Sequence, residues 1–390
     1  MLTGPRTLAN EDPMKETPAL LMLEDGTCFE GTAVGMKREA AGEVVFGTGM
    51  VGYQETLTDP SHHGQIVTFT AAHIGDYGAT DLDDQSGRFG AGGAVFHDLT
   101  PRHAYSNWRA RESLDDKLTR MGMTAITGVD TRALTLHLRE HGSKNGIISA
   151  VDLDKASLLR RAKELPAMVG LDLASRVTTE TPYIYEGSPI EDAPDKPKQK
   201  RYSVAVYDFG IRKAMLDDLV RVGAKPTVWP VTTPVEEVLK SNPHGVFLSS
   251  GPGDPSACDY AVKSVQKLLG RVPVFGICFG HQILARALGA KIYKMKFGHH
   301  GGNHPVKDVD SGRVAITSQN HGFCVDVDSL PTGARVSHWN LNDDTMEGLI
   351  ADNLMAFSVQ FHPEACAGPN DTKGLFSRFR NLMQSAQSLF

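Results

Sequence analysis

Val272-Pro273-Val274-Phe275-Gly276-Ile277-Cys278-Phe279-Gly280-His281-Gln282-Ile283-Leu284-Ala285-Arg286-Ala287-Leu288 runs from an apolar stretch into a helical one across a cysteine bracketed by glycines. The part from Val272 to Ile277 is apolar throughout, as a strand buried on both faces must be. Gln282 to Leu288 reads as helix. Between them, Gly276-Ile277-Cys278-Phe279-Gly280 has the strand–turn–helix context of a nucleophile elbow, with cysteine in place of the usual serine. The two glycines are expected to permit the tight turn, and the helix N-terminus to supply positive potential that favours a thiolate. That placement matters, because a free thiol of pKa about 8.5 is only a few per cent ionised near pH 7. A lone cysteine is ordinarily a small buried hydrophobe. Glycines on both sides fill no core and cost backbone entropy, so the local geometry must require them.

Strands and helices alternate outward from this point. Val204–Tyr207, a helix from Ile211 to Val222 closing at Gly223, Pro226–Trp229, Gly245–Leu248 and the helical stretch Ser256–Leu269 complete the pattern. It predicts an α/β fold whose mainly parallel sheet is flanked by helices through right-handed crossovers. Two further elements fall at the carboxyl ends of predicted strands, where open α/β sheets bind ligands. Ser249-Ser250-Gly251-Pro252-Gly253-Asp254-Pro255 is rich in turn formers, and its glycines would also let backbone N–H groups approach an oxyanion. One such donor is worth about 10²- to 10³-fold in rate. Phe361-His362-Pro363-Glu364 leaves the strand-like run Met355–Gln360, and residues two apart on extended chain face one side, so His362 and Glu364 can converge. Alone, the same letters would fit a surface histidine beside a loop glutamate. A nucleophile, a base with its orienter and an amide-lined loop at one sheet edge together describe acyl transfer through a thioester.

The stretch Gly298-His299-His300-Gly301-Gly302-Asn303-His304 invites a zinc reading. No cysteine or carboxylate is interleaved within it, and a cysteine–histidine–glutamate triad hydrolyses without metal, so no metal ligand is assigned. It is expected to be a loop that packs beneath the site or contacts a partner.

Tyr185 to Arg201 combines three prolines with a run of charged residues and has nothing to bury. It reads as a linker over 185–202, separating a first domain of 1–184 from a second of 203–390. In the first, strands Ala19–Leu23 and Thr27–Phe29 flank the turn Asp25-Gly26, and Gln65–Thr70 alternates as a strand. Helices follow at Ser113–Met121, with Ser113 and Asp116 at capping-box spacing, and at Thr131–Glu140. This smaller half is therefore mixed α/β, and no catalytic cluster assembles in it.

The 390 residues carry 40 basic and 46 acidic groups, a formal charge of -6 that argues against nucleic acid as a partner. The cysteines Cys28, Cys258, Cys278, Cys324 and Cys366 include no C-x-x-C pair, which fits reduced thiols in a cytoplasm. No apolar run approaches the roughly 20 residues of a membrane helix, and Arg6, Glu11, Asp12, Lys15 and Glu16 interrupt the start of the chain. A cytoplasmic protein without membrane contact is expected.

GICFGHQ (Gly276–Gln282), SSGPGDP (Ser249–Pro255) and FHPE (Phe361–Glu364), in that arrangement, resemble the class I (triad) glutamine amidotransferases. VYDFGIRK (Val206–Lys213), KFGHHGGNHPV (Lys296–Val306) and TSQNHGF (Thr317–Phe323) resemble one branch, the small subunit of carbamoyl-phosphate synthetase. GYQETLTDPS (Gly52–Ser61) and GVDTRALTLHLRE (Gly128–Glu140) are similar to that subunit's own first, partner-contacting domain. The resemblance implies Cys278 as nucleophile, His362 as acid–base and Glu364 as its partner. It also implies that Gly251, Gly253 and Phe279 line the oxyanion and substrate region, and that Gln282, Asn320, Gly322, Phe323 and Ser61 bind glutamine. Phe279 stands where the family usually has leucine and Ser250 where it has asparagine.

No cofactor is implied in this chain. The family implies a large synthetase subunit as partner in a hetero-oligomer, with ATP and divalent metal held there, bicarbonate as co-substrate, and carbamoyl phosphate feeding arginine synthesis, pyrimidine synthesis or both. The chain has no Gly-x-x-x-x-Gly-Lys loop, in keeping with that division. Two other readings stay open at this point: a stand-alone cysteine hydrolase of γ-glutamyl amides, and a non-catalytic scaffold that keeps the fold.

Overall fold

A computed structural model describes residues 17–188 and 202–387. Most of the expected linker, 189–201, lies outside the described residues. The strands, in chain order, are β1 Pro18–Leu23, β2 Cys28–Gly35, β3 Glu39–Gly47, β4 Gln65–Phe69, β5 His73–Ile74, β6 Gly93–Val95, β7 Asp98–Leu99, β8 Thr124–Thr127 and β9 Lys144–Ser149, then β10 Tyr183–Ile184, β11 Tyr202–Asp208, β12 Ala224–Pro230, β13 Gly245–Leu248, β14 Val274–Ile277, β15 Ile292–Asp308, β16 Val314–Val325, β17 Arg335–Asn340, β18 Met346–Ala351 and β19 Ala356–Val359.

The first half is β-rich in a way that local patterns did not disclose. β1, β2, β8, β6, β4, β3 and β9 close into a barrel. Closure needs β9 to pair with both β1 and β3, from opposite ends of the segment, so only tertiary structure reveals it. Leu21, Leu23, Val44, Ile66, Val95, Ile126 and Ile148 form one of its apolar clusters, together with Leu134 and Leu138 of the helix Thr131–His141. Ser113 caps the helix Leu114–Met121 by accepting from the Asp116 amide, as its spacing predicts.

The second half is a ten-stranded sheet in the order β10-β12-β11-β13-β14-β19-β18-β17-β15-β16. β12, β11, β13, β14 and β19 are mutually parallel, and the remaining strands continue the sheet antiparallel. Alternate residues of β13 and β14 enter different cores. Val246, Leu248 and Val274 pack with the helix Phe279–Leu288, while Phe247, Phe275 and Ile277 pack with Phe376 and Phe379. Burial on both faces explains why these strands are apolar without alternation. Tyr183 and Ile184 precede the expected linker yet pair with β12.

The His299–His304 stretch, expected to be a loop, lies inside the long strand β15, paired with β16 and interrupted by register shifts between Lys294 and His299 and between Gly301 and His304. Gly298 and Gly301, which suggested a loop, occupy left-handed backbone at those irregularities (φ 72° and 151°). Among the described residues no helix is long and apolar enough to cross a membrane.

Candidate active site

The carboxyl ends of β13, β14 and β19 meet at one edge of the parallel sheet. Cys278 follows β14 and is the N-cap of the helix Phe279–Leu288, with φ 54° and ψ -105°. That backbone is strained for a residue with a Cβ, and it turns the thiol away from the strand. The bracketing glycines act differently from the sequence reading: neither takes a positive φ, and the cysteine itself carries the strain. Glycine is required for close approach instead. A Cβ on Gly276 would stand 2.6 Å from the Gly280 carbonyl oxygen, and one on Gly280 would collide with the Leu248 carbonyl.

His362 and Glu364 leave β19 just past its end. His362 Nδ1 donates to Glu364 Oε1 at 2.8 Å, and both side chains are fully buried. Burial alone would strip the imidazole of its proton, but Glu364 first and Cys278 second outweigh it and raise the His362 pKa to about 10. Burial likewise opposes ionisation of Glu364, and His362 followed by Arg212 holds its pKa below the usual value. The Cys278 thiol is close enough to act on the imidazole, yet it donates to the Asn320 carbonyl at 3.4 Å, while His362 Nε2 has no hydrogen-bond partner. A rotation of the thiol toward Nε2 would complete the nucleophile–base contact.

Ser61, Gly251, Gly253, Phe279, Gln282, Asn320, Gly322 and Phe323 all line one narrow pocket with Cys278. As the first residue of its helix, Phe279 has an N–H without an intrahelical acceptor, available to an oxyanion. Its buried ring packs on Phe209 at 5.4 Å. Gln282 Nε2 donates to the Phe323 carbonyl at 2.9 Å and to Gln360 Oε1 at 3.0 Å, tying the helix to β16 and to the segment after β19. Ser250, at the asparagine position of the family, is buried and donates to the Gly210 carbonyl at 3.2 Å.

The barrel supplies the opposite wall. Asn320 Nδ2 donates to Ser61 Oγ at 2.8 Å, and Ser61 Oγ donates to Asp59 Oδ1 at 2.7 Å. Asn320 Oδ1 accepts from His300 Nδ1 at 2.8 Å; burial, then His62, push His300 down to about 3, so it stays neutral. Arg212 was not singled out from the sequence as a site residue. It is buried, donates to Glu364 Oε1 at 3.1 Å and to the Cys366 carbonyl at 2.7 Å, and stands 3.6 Å from Asp59 Oδ2. One guanidinium thus joins the orienting carboxylate to the barrel. Lys294, paired with Glu43 at 2.8 Å, also lines the pocket. Arg212 falls inside the string VYDFGIRK and Lys294 two residues before KFGHHGGNHPV; nothing local distinguishes them from surface charges.

A buried thiol on a strained elbow, facing an imidazole–carboxylate pair and an amide-lined pocket, is the equipment of a class-I glutamine amidotransferase, and residues 205–382 match the glutamine amidotransferase class-I family. Residues 21–148 match the carbamoyl-phosphate synthase small chain, CPSase domain. The carbamoyl phosphate synthase small chain of Syntrophotalea carbinolica is 49% identical over 369 residues, spanning 94% of this chain and 98% of that one. Its counterpart from Salmonella typhimurium is 51% identical over 373 residues, spanning 94% and 97%. The chain belongs to the carbamoyl phosphate synthase small-chain family.

Proposed function

We propose that this chain is the glutaminase subunit of a carbamoyl-phosphate synthetase, hydrolysing glutamine through a thioester on Cys278. With the thiol proton resident on His362, the Cys278 thiolate attacks the side-chain amide carbon of glutamine, and the oxyanion is met by the Phe279 N–H and the Gly251–Gly253 loop. His362, protonated below about pH 10, gives its proton to the departing ammonia. The neutral imidazole then takes a proton from the water that cleaves the glutamyl thioester, releasing glutamate. Glu364 holds the imidazole by Nδ1 throughout, and Arg212 holds Glu364. The observation that carries the reading is Cys278 at a strained strand–helix elbow beside the His362–Glu364 pair.

A second cavity, of about 510 Å³, supports delivery of ammonia to a large synthetase subunit. It shares Asn320 with the first pocket and is lined by Thr48, Arg212 and Ser318, with the exposed Met50 and Val51 also on its wall. In this reading ATP, bicarbonate and divalent metal belong to that subunit, the pair works in the cytoplasm, and its product feeds arginine or pyrimidine synthesis. The proposed division is a partner-contacting domain over 1–184, a linker over 185–202 and the amidotransferase domain over 203–390.

The test is Cys278→Ser assayed in complex with the large subunit. Glutamine-dependent carbamoyl phosphate synthesis should vanish and ammonia-dependent synthesis persist. Surviving glutamine-dependent synthesis would refute the assignment.

A further inference from the structure

β15 and β16 bring a second group of reactive side chains together. His300 hydrogen-bonds Asn320 of the glutamine pocket, and next to them along the two strands His299 and His321, the latter also bordering that pocket, face each other. His299 and His321 are directly opposite in register, with ring centroids 4.9 Å apart. Glu347 of β18 reaches them and is fully buried. One ligand atom from each of the three lies within 4.8 Å of the others.

Each imidazole is backed by an acceptor. His299 Nε2 is 2.8 Å from Asp343 Oδ2, and His321 Nδ1 is 2.8 Å from the Phe323 carbonyl oxygen. An N–H spent in this way leaves the other nitrogen as a lone pair, which is how metal-binding histidines are oriented. The second nitrogens face the same centre but are not free: His299 Nδ1 stands 3.6 Å from Glu347 Oε1 and 3.5 Å from Asn340 Nδ2, and His321 Nε2 meets Gln319 Oε1 at 3.1 Å, contacts that a bound cation would replace. Glu347 Oε1 accepts from Asn340 Nδ2 at 2.8 Å, but Glu347 Oε2, buried, has no hydrogen-bond partner. His304 Nδ1, on a ring 4.9 Å from that of His299, is unpartnered too. A bare carboxylate oxygen away from water is costly, and a cation between it and two imidazole lone pairs would remove that cost.

We propose that His299, His321 and Glu347 form a site for a divalent transition metal of zinc type, with a further position open toward His304. Two nitrogens and one carboxylate oxygen suit zinc and its neighbours rather than magnesium or calcium, which prefer all-oxygen sets. The carboxylate that the sequence reading found missing from the histidine stretch arrives from another strand, 43 residues after His304. The metal ties β15, β16 and β18 together behind Asn320, so its role is to fix the strand that carries a wall of the glutamine pocket. It takes no part in the thioester chemistry, and the proposal stands whether or not Cys278 is the nucleophile.

The test uses the full chain carrying Cys278→Ser, so that the elbow thiol cannot hold metal, stripped with chelator and titrated with Zn²⁺ and with Co²⁺. The expected result is one equivalent bound, with visible cobalt d–d bands and no thiolate charge-transfer band. Glu347→Gln should weaken binding by more than about 100-fold, and Asp343→Asn, which removes only the acceptor behind His299, by about 10- to 100-fold. Circular dichroism of each metal-free variant checks its fold, and Asp343, partly exposed, provides the reading should Glu347→Gln not fold. No stoichiometric binding, a thiolate band, or affinity unchanged in a folded Glu347→Gln or Asp343→Asn chain would overturn the proposal.

Discussion

The two walls of the glutamine pocket differ in origin. One is built from the ends of β13, β14 and β19, where Gly251, Cys278 and His362 are each placed by the strand immediately before them. The other is assembled at a distance: Ser61 comes from the barrel, Asn320 from β16, and Arg212 joins Asp59 to Glu364. In the proposed mechanism the first wall holds the groups that make and break bonds, and the second holds substrate and orients the first, so damage to the second should change affinity or stability more than chemistry.

Four substitutions sharpen that contrast, from the largest effect to the smallest. Glu364→Gln removes the chief group that keeps His362 protonated. The glutaminase rate should fall about 10³- to 10⁴-fold. Because burial then dominates and His362 loses its proton more readily, the alkaline limb of the pH–rate profile should move down from about pH 10, not up. Arg212→Met leaves Asp59 and Glu364 buried without their shared cation and should cost about 3–5 kcal/mol in urea denaturation. Unchanged stability would mean that the guanidinium does not bind the two halves together.

Ser61→Ala deprives Asn320 and Asp59 of a shared hydroxyl. The KM for glutamine should rise about 5- to 10-fold with kcat little altered, the signature of lost ground-state binding. An equal fall in kcat would place Ser61 in the chemistry. Phe279→Leu keeps the backbone N–H and loses only packing on Phe209, so the turnover number should stay within about twofold, with a stability loss of about 1 kcal/mol by the same denaturation.

The first wall was legible in the sequence because its signals are local. Apolar runs of strand length announce β13 and β14, with glycines around Cys278 and in the 249–255 loop marking the turns at their ends, and the strand-like run Met355–Gln360 announces β19. Even there the reason needed correction, since Gly276 and Gly280 are demanded by backbone contact and Cys278 itself takes the positive φ. Closure of the barrel was not legible, because β9 is joined to β1 by pairing across more than a hundred residues. Arg212 and Lys294 were missed for a related reason: an arginine after a strand and a lysine in an alternating run look like solvated charges until their carboxylate partners fold against them. The same limit applies to the metal reading, which depended on Glu347 rather than on the histidine stretch alone.

The central claim is that the sulfur of Cys278 is the nucleophile, selected by its setting rather than by exposure. Cys366, the more exposed thiol, provides the internal control. The chain should be treated with a glutamine analogue bearing an electrophile at the γ-position and the labelled peptides read by mass spectrometry. One label per chain on Cys278, suppressed by glutamine, is the predicted result; labelling of Cys366 with Cys278 untouched, or labelling indifferent to glutamine, would contradict the account.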